Sequence, residues 1–278
     1  MIIWLASYPK SGNTWLRLFL KAYIQNNDKI FNINDNINDS FKVHTLPNIK
    51  NFENMNIPCN GFQDIVQNWI AVQEFINLKN SLNFVKTHNA ICTINNYKFT
   101  DKINTLGGVY VVRDPRDVAV SFGHHLGKSF EEIVDQMIDE KFMICESNFA
   151  KKGFDSTIIG SWSNHFKSWK NFDDQKILVI KYEDLVKNTY NEYLKLIKFL
   201  NKLCNLDIDK NRIQKSINLT NFDKLQSLEK SSGFDEKTKS KQFFRKGKIG
   251  SWKVELDENL SKKLEKFFEN EMISLGYI

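Results

Sequence analysis

The stretch Ile2–Tyr23 constrains the fold more than any other part of the chain. Ile2 to Ser7 is an apolar run of strand length, and "YPKSGNT" after it carries the breakers Pro9 and Gly12. Trp15, Leu16, Leu18, Phe19, Ala22 and Tyr23 then fall at helical spacing. That is strand, turn, helix, and the order recurs. "NFVKTH" and "GVYVVRD" are short apolar strands ending in polar residues, and the second runs into the helical "PRDVAVSFGHHL". A fourth strand, "KILVIKYEDL", follows a helix at about 160–172. Strands alternating with helices predict an α/β fold whose central, mostly parallel sheet is flanked by helices.

Between these units, Ile65, Trp69, Val72, Phe75 and Ile76 share one face of a helix over 62–78. The last third reads as helical over 188–203, 210–219 and 258–275. Residues 26–58, with the Asn/Asp-rich "NINDNINDS", lack periodicity and are predicted to form a long surface excursion. "SLEKSSGFDEKTKSKQFFRKGKIGSWK" is polar, charged and punctuated by glycine, which predicts a mobile lid over about 228–250. With no internal repeat and no dividing linker, residues 1–278 read as one domain.

Composition narrows the partners. A net charge of +6 from 39 basic and 33 acidic residues favours anionic ligands, yet it is too diffuse for a nucleic-acid-binding protein. Cys59, Cys92, Cys145 and Cys204 are widely spaced, which suggests neither a zinc site nor a disulfide framework and predicts buried, reduced thiols. The opening apolar run is too short for a signal peptide, and no run of about 18 apolar residues suggests a membrane span. The expectation is a cytoplasmic protein.

Three strands end in groups suited to anions or proton transfer: Lys10 after the first, Lys86 and His88 after the second, Arg113 and Arg116 after the third. Ligands of open parallel sheets bind beyond the carboxyl ends of the strands, so these groups should converge. The turn at 8–14 enters a helix directly, so the backbone N–H groups of Ser11 to Thr14 are placed to meet a phosphate, aided by the helix dipole. It lacks the G-x-x-x-x-G-K-[ST] pattern of nucleotide kinases. "GHHLGKS" over 123–129 imitates that pattern one residue short and late in a helix, and reads as an exposed helix end. The adjacent His124 and His125 do not share a helix face, which disfavours a metal site. "FRKGKIGSWK" combines Arg245, Lys246, Gly247 and Trp252, a clamp suited to a phosphate monoester.

Five motifs in order resemble one family. "YPKSGNTW" is similar to the 5′-phosphosulfate loop of sulfotransferases that use 3′-phosphoadenosine 5′-phosphosulfate (PAPS), "VYVVRDPRDVAVSF" to their 3′-phosphate motif, and "RKGKIGSWK" to their C-terminal signature. "KTH" and "VIKYEDL" fall between them in the family's order, so the resemblance spans residues 4–253. It implies that Lys10 contacts the 5′-phosphate and bridging oxygen, with Ser11, Gly12, Asn13 and Thr14 completing the loop. Trp15 resembles the aromatic stacked on adenine, and Tyr182, Thr220 and Phe222 match the adenine pocket. Arg113 and Ser121 resemble the pair on the 3′-phosphate, with Arg245, Lys246 and Gly247 closing from the other side. His88 resembles the general base, and Lys86 the cation beside the transferring group. Each position also has a plain structural reading: Trp15 as core, Ser121 as a helix-surface hydroxyl, Tyr182 as a sheet-edge anchor, His88 as a merely hydrogen-bonded strand end.

The resemblance implies sulfuryl transfer from PAPS to a hydroxyl or amine of a small-molecule, lipid or glycan acceptor, leaving PAP, with no metal required. The competing readings are a nucleotide-dependent kinase and a non-catalytic nucleotide-binding module on the same fold. The segments expected to form the acceptor wall, 26–80 and 123–160, carry no recognisable code. Phe62, Trp69, Phe122 and Phe142 suit an apolar pocket and core packing equally. The dimer motif K-x-x-x-T-V-x-x-x-E of animal members is absent after Trp252, which leaves the oligomeric state open.

Overall fold

All six residues of the first strand, β1 (Ile2–Ser7), are buried, as an apolar run without alternation requires. The computed structural model describes residues 1–25, 31–34, 43–58, 61–78, 82–146, 155–173, 176–237 and 242–278. After β1 come α1 (Asn13–Gln25), β2 (Val43–Thr45), α2 (Ile49–Glu53), α3 (Phe62–Gln67), α4 (Trp69–Asn77) and β3 (Asn83–Thr87). Next are β4 (Thr93–Ile94), β5 (Tyr97–Lys98), β6 (Thr105–Val112), α5 (Pro115–Leu126), α6 (Phe130–Ile138), β7 (Met143–Glu146), β8 (Asp155–Ile158) and α7 (Trp162–Lys170). The chain continues through β9 (Ile177–Lys181), α8 (Tyr182–Lys187), α9 (Thr189–Cys204), α10 (Lys210–Leu219) and α11 (Phe222–Ser232). It ends with α12 (Trp252–Glu255), α13 (Glu258–Phe267) and α14 (Glu269–Leu275). Backbone contacts group these into two units, each discontinuous in sequence: 1–8, 43–111 and 136–179; and 9–42, 112–135 and 180–278.

The first unit is built on a five-stranded sheet of order β2-β3-β1-β6-β9, in which β2–β3, β3–β1 and β1–β6 are parallel. This is the expected α/β architecture, with β1 central. Trp4 lies 5.3 Å from Phe99 and 6.0 Å from Trp169 between ring centroids, and its indole N–H donates to Thr105 Oγ1 at 2.9 Å. Gly108 permits this packing: a Cβ there would stand 3.0 Å from Ile177 Cδ1 and 3.2 Å from Trp4 Cβ. Helix α7 starts at the N-cap Ser161, whose Oγ accepts from Asn164 N, and buries His165, Phe166 and Trp169.

The second unit is helical. Phe19 of α1 stacks on Tyr193 of α9 at 3.5 Å and 5°, and Trp15 meets Tyr193 and Tyr182 edge-on at 6.0 Å each. Such pairs contribute about 0.5–1.5 kcal/mol each beyond their buried area. A separate apolar cluster of Leu18, Ile33, Leu225, Phe234 and Phe244 takes Trp15, Phe222 and Phe243 onto its flank. Helix α5 is capped by Asp114, which accepts from Arg116 N at 2.9 Å, and stops at Gly127 in the left-handed conformation.

Several expectations need correction. The stretch 26–58 contains β2, an edge strand of the main sheet, and α2; three residues are too few for a periodic signal. The helix read over 62–78 is two helices, broken at Asn68, whose side-chain amide donates to the Asp64 carbonyl and competes with the helical ladder. The helix read over 258–275 likewise breaks at Phe268. "KILVIKYEDL" is strand only to Lys181, and "YEDL" opens α8. Residues 228–232 belong to α11, and 238–241 of the lid expectation lie outside the described residues. Trp69 and Phe122 are 0% and 2% exposed, so both are core. Cys92 is half-buried with its thiol pushed up to about 11 by burial, and Cys204 is half-buried too. Cys59 lies outside the described residues. No helix among the described residues is long and apolar enough to cross a membrane.

One buried group makes the fold sensitive to acid. His165 is fully buried, and that burial lowers its pKa to about 4, against an opposing hydrogen bond to the His88 backbone. The folded state keeps the imidazole neutral, whereas the unfolded chain binds a proton below about pH 6.5. Stability is therefore unaffected above that value and falls as pH drops from about 6.5 to about 4, by roughly 3 kcal/mol in total. Urea unfolding at pH 7 and pH 5 should show a larger acid loss for the wild type than for His165→Gln, which cannot titrate; equal losses would contradict it.

Candidate active site

In the second unit, the turn into α1 is held in a strained form: Lys10 has φ 65 and Gly12 φ 108. The first helical bond runs from Leu16 N to the Gly12 carbonyl, so the N–H groups of Asn13, Thr14 and Trp15 have no acceptor within the helix. Ser11 is buried with a hydroxyl that has no hydrogen-bond partner, and the same holds for Arg113 Nε. Two orphaned donors at one helix N-terminus and one strand end suit an anion. Arg113 is placed by its own contacts. Its guanidinium lies 4.3 Å over the Tyr182 ring and donates to the carbonyls of Lys10 at 3.3 Å and Lys248 at 3.1 Å.

A small pocket is lined by Lys10, Ser121, His124, His125, Phe243 and Arg245. Side chains from three separate sequence motifs thus meet in one place. The C-terminal motif is fastened to α5 by Asp117, whose carboxylate accepts from Gly250 N at 2.7 Å and Trp252 N at 3.1 Å. Gly247 has φ +60, and a Cβ there would come within 2.2 Å of the Phe222 ring, so only glycine fits. Trp15 donates its indole N–H to the Thr220 carbonyl at 2.8 Å. The Thr220 hydroxyl itself donates to Ser216 O at 2.8 Å, so Thr220 enters the site through its backbone.

The cations of this site are paired with the protein's own groups. Glu255 accepts from Arg245 at 2.9 and 3.1 Å, from Lys246 at 2.7 Å, and faces His124 Nε2 at 2.8 Å. Partial burial works to raise the Glu255 carboxyl, but the hydrogen bonds from Arg245, Lys246 and His124 overcome it and hold the group at about 2. Thr14 Oγ1 and Arg17 both donate to Glu236, and Lys10 Nζ sits 4.0 Å over the Phe243 ring. The Phe243 and Phe244 N–H groups are held by the Glu229 carboxylate at 2.6 and 2.9 Å. None of Glu229, Glu236, Phe243 and Glu255 was signalled by the sequence motifs.

Arg116 departs from the sequence reading. It is clamped by Asp114 at 2.7 Å and Glu265 at 2.6 Å and lies 3.9 Å over the Trp252 ring, which makes it a strut rather than a ligand-facing cation. His124 and His125 do sit at an exposed helix end, as the reading of "GHHLGKS" expects, but they also line the pocket.

In the first unit, Lys86 pairs with Leu5 and Thr45 one residue before the end of β3, and His88 follows just beyond Thr87. His88 Nδ1 lies 2.8 Å from the Ser7 carbonyl and 3.4 Å from the Ser7 hydroxyl. A carbonyl can only accept, so Nδ1 carries the proton and the lone pair of the neutral ring lies on Nε2. The backbone beside it is held by α7 and β8. His165 Nε2 donates to the His88 carbonyl at 3.0 Å, Trp169 Nε1 to Asn89 O at 3.0 Å, and Asn89 Oδ1 accepts from Ile158 N at 2.8 Å.

Residues 2–276 match the sulfotransferase domain family. Amine sulfotransferase of Oryctolagus cuniculus is 27% identical over 173 residues, 59% of this chain and 54% of that protein, so the match spans about half of that relative's length. Flavonol 3-sulfotransferase of Flaveria bidentis is 26% identical over 295 residues, covering 99% of this chain and 83% of that protein. A crystal structure of a mouse sulfotransferase complexed with PAP shares the fold, with a TM-score of 0.62 at 20% identity over 98% of this chain and 84% of that one. With a family match running from β1 through α14, the chain belongs to the sulfotransferase domain family.

Proposed function

We propose that the protein transfers a sulfuryl group from PAPS to a hydroxyl or amine of a small-molecule, lipid or glycan acceptor. The observation that carries the donor half is the meeting of Lys10, Ser121 and Arg245 in one pocket, with the orphaned Ser11 hydroxyl and Arg113 Nε in the same unit. Lys10, Ser11, Gly12, Asn13 and Thr14 take the 5′-phosphosulfate. Arg113, Ser121, Arg245, Lys246 and Gly247 take the 3′-phosphate, the group that separates this donor from ATP. Trp15, Tyr182, Thr220 and Phe222 receive the adenine. Relatives named for amines and flavonols support a small-molecule acceptor.

The proposed chemistry is an in-line displacement. His88 Nε2 removes the proton from the acceptor hydroxyl as the acceptor oxygen bonds to sulfur, and the bond from sulfur to the 5′-phosphate oxygen breaks, leaving PAP. Lys10 balances charge on the departing oxygen, and Lys86 balances the sulfuryl oxygens. Chain connectivity favours this assignment: Ser7, whose carbonyl orients His88, is followed by Tyr8, Pro9 and Lys10.

Thermal shift with 3′,5′-ADP should exceed that with ATP and magnesium; a preference for ATP would return the reading to a kinase. The variant His88→Ala should keep nucleotide binding and lose transfer by about 10²–10⁴-fold. Near-normal turnover in that variant removes His88 from its role.

The carboxylate at 255 competes with a phosphate for the same donors. Glu255→Gln should tighten 3′,5′-ADP binding about three- to tenfold, since partly exposed ion pairs are each worth up to about 1 kcal/mol. Calorimetric titration showing weaker binding would instead make Glu255 the support that holds Arg245 and Lys246 in place.

A further inference from the structure

We propose that His165 is a positioning residue that fixes the backbone of His88 and thereby aims its imidazole. This rests on the reading of His88 as the base and adds a residue that the five sequence motifs do not contain. His88 lies just past Thr87, the last β3 residue paired with β1, so the sheet ladder does not extend to its carbonyl. The imidazole of His165 supplies a donor there, with Nε2 3.0 Å from the His88 carbonyl.

The direction of that bond is set by a second partner. Tyr110 Oη lies 2.8 Å from His165 Nδ1. Since the His88 carbonyl can only accept, Nε2 carries the hydrogen, Nδ1 carries a lone pair, and the Tyr110 hydroxyl donates to it. Tyr110 is fully buried, which raises its phenol above the ordinary tyrosine value and keeps that proton in place. His165 is therefore held in one tautomer, and its donor points only at His88.

The same helix face fixes the chain on the far side of His88. Residues 165, 168 and 169 fall at i, i+3 and i+4 of α7 and project together. His165 engages the carbonyl of His88, Ser168 Oγ accepts from Ile91 N at 3.0 Å, and Trp169 Nε1 donates to the carbonyl of Asn89 at 3.0 Å. His88 is thus held at two points, its ring by the Ser7 carbonyl and its main chain by His165. Losing the main-chain anchor lets the ring leave its aim without removing any group that touches substrate, the kind of misplacement that costs about 10²-fold when near 1 Å.

A histidine that only fills the core would move stability and nothing else. The discriminating pair is His165→Gln, whose terminal amide can still donate to the His88 carbonyl, and His165→Asn, which can accept from Tyr110 but does not reach as a donor. Steady-state transfer to a phenol acceptor, per folded enzyme, should show kcat reduced about 10–100-fold in His165→Asn with both KM values near wild type, and kcat restored to within about threefold in His165→Gln. Equal kcat in the two variants overturns the proposal.

A second readout needs no turnover. In ¹⁵N-histidine spectra the wild type should show His88 protonated at Nδ1, His165→Gln should preserve that signal, and His165→Asn should shift it toward a mixture of tautomers. An unchanged His88 signal in His165→Asn overturns the proposal. Should the wild type fail to transfer sulfate, the functional reading falls while this spectrum still decides the role of His165. If neither variant folds, Tyr110→Phe provides the same test: loss of the hydroxyl should lower kcat at unchanged KM, and unchanged kcat overturns the proposal.

Discussion

Burial of β1 is the constraint on which the first unit depends. Its six residues are covered completely, so its side chains can only be apolar or self-satisfied, and Trp4 is both, its indole N–H spent on Thr105. Two consequences follow at the strand's end. The Ser7 carbonyl is delivered to His88, and the chain must then turn sharply, which places Lys10 in the left-handed region. Strain of about 1–3 kcal/mol at such a residue persists only when its surroundings over-determine it. Here they include the Arg113 guanidinium on its carbonyl and the Phe243 ring under its ammonium. A residue with a softer backbone preference would relieve the strain, but it would not carry the charge.

In the second unit electrostatics does the equivalent work. A group of cations close enough to grip a doubly charged phosphate repels itself, and each cation needs a counter-ion or an aromatic face. The structure gives Arg245 and Lys246 to Glu255, Arg17 to Glu236, Lys10 to Phe243, and Arg113 to Tyr182 and Asp117. Arg113 and Asp117 are both nearly buried, whereas the pairs on Glu255 are half-exposed and worth little individually. The buried pair fixes geometry and the exposed ones are cheap to exchange. An anion that offers more charge than a carboxylate can therefore compete for Arg245 and Lys246 without disturbing Arg113.

What the sequence made legible was whatever rests on local order. "YPKSGNTW" joins a strand to a helix, "RDPRD" joins another, and anion-binding groups of such folds sit at such junctions, so Lys10, Arg113 and their neighbours could be named as candidates at once. The helix–strand alternation was legible for the same reason. Pairings across the chain were not. Glu255 lies in a polar stretch that looks like solvated charge, and its role is set by Arg245 ten residues earlier and His124 on another helix. Arg116 looked like a second ligand-facing cation beside Arg113, yet it lies inside α5 and is turned onto Asp114, Glu265 and Trp252. β2 is too short to show a period, and its place in the sheet comes from β3, forty residues on. His165 was the least legible: it stands between Asn164 and Phe166, and only the fold brings Tyr110 and the His88 carbonyl to it.

The protonation states of the buried histidine and tyrosine explain why polar groups are tolerated so deep in the first unit. A buried imidazole costs little only while neutral and satisfied at both nitrogens. Tyr110 and the His88 carbonyl satisfy the two nitrogens, and burial itself enforces neutrality by lowering the pKa of His165 to about 4. His88 differs in one respect: a carbonyl faces its Nδ1, so the lone pair of its neutral ring lies on Nε2. Two histidines within one hydrogen-bond chain are thereby held differently, His165 by bonds at both ring nitrogens and His88 by a carbonyl facing Nδ1. That difference arises from burial and from which nitrogen faces a carbonyl, not from any difference in the side chains themselves, and it is the division that the proposed roles of support and proton acceptor call for.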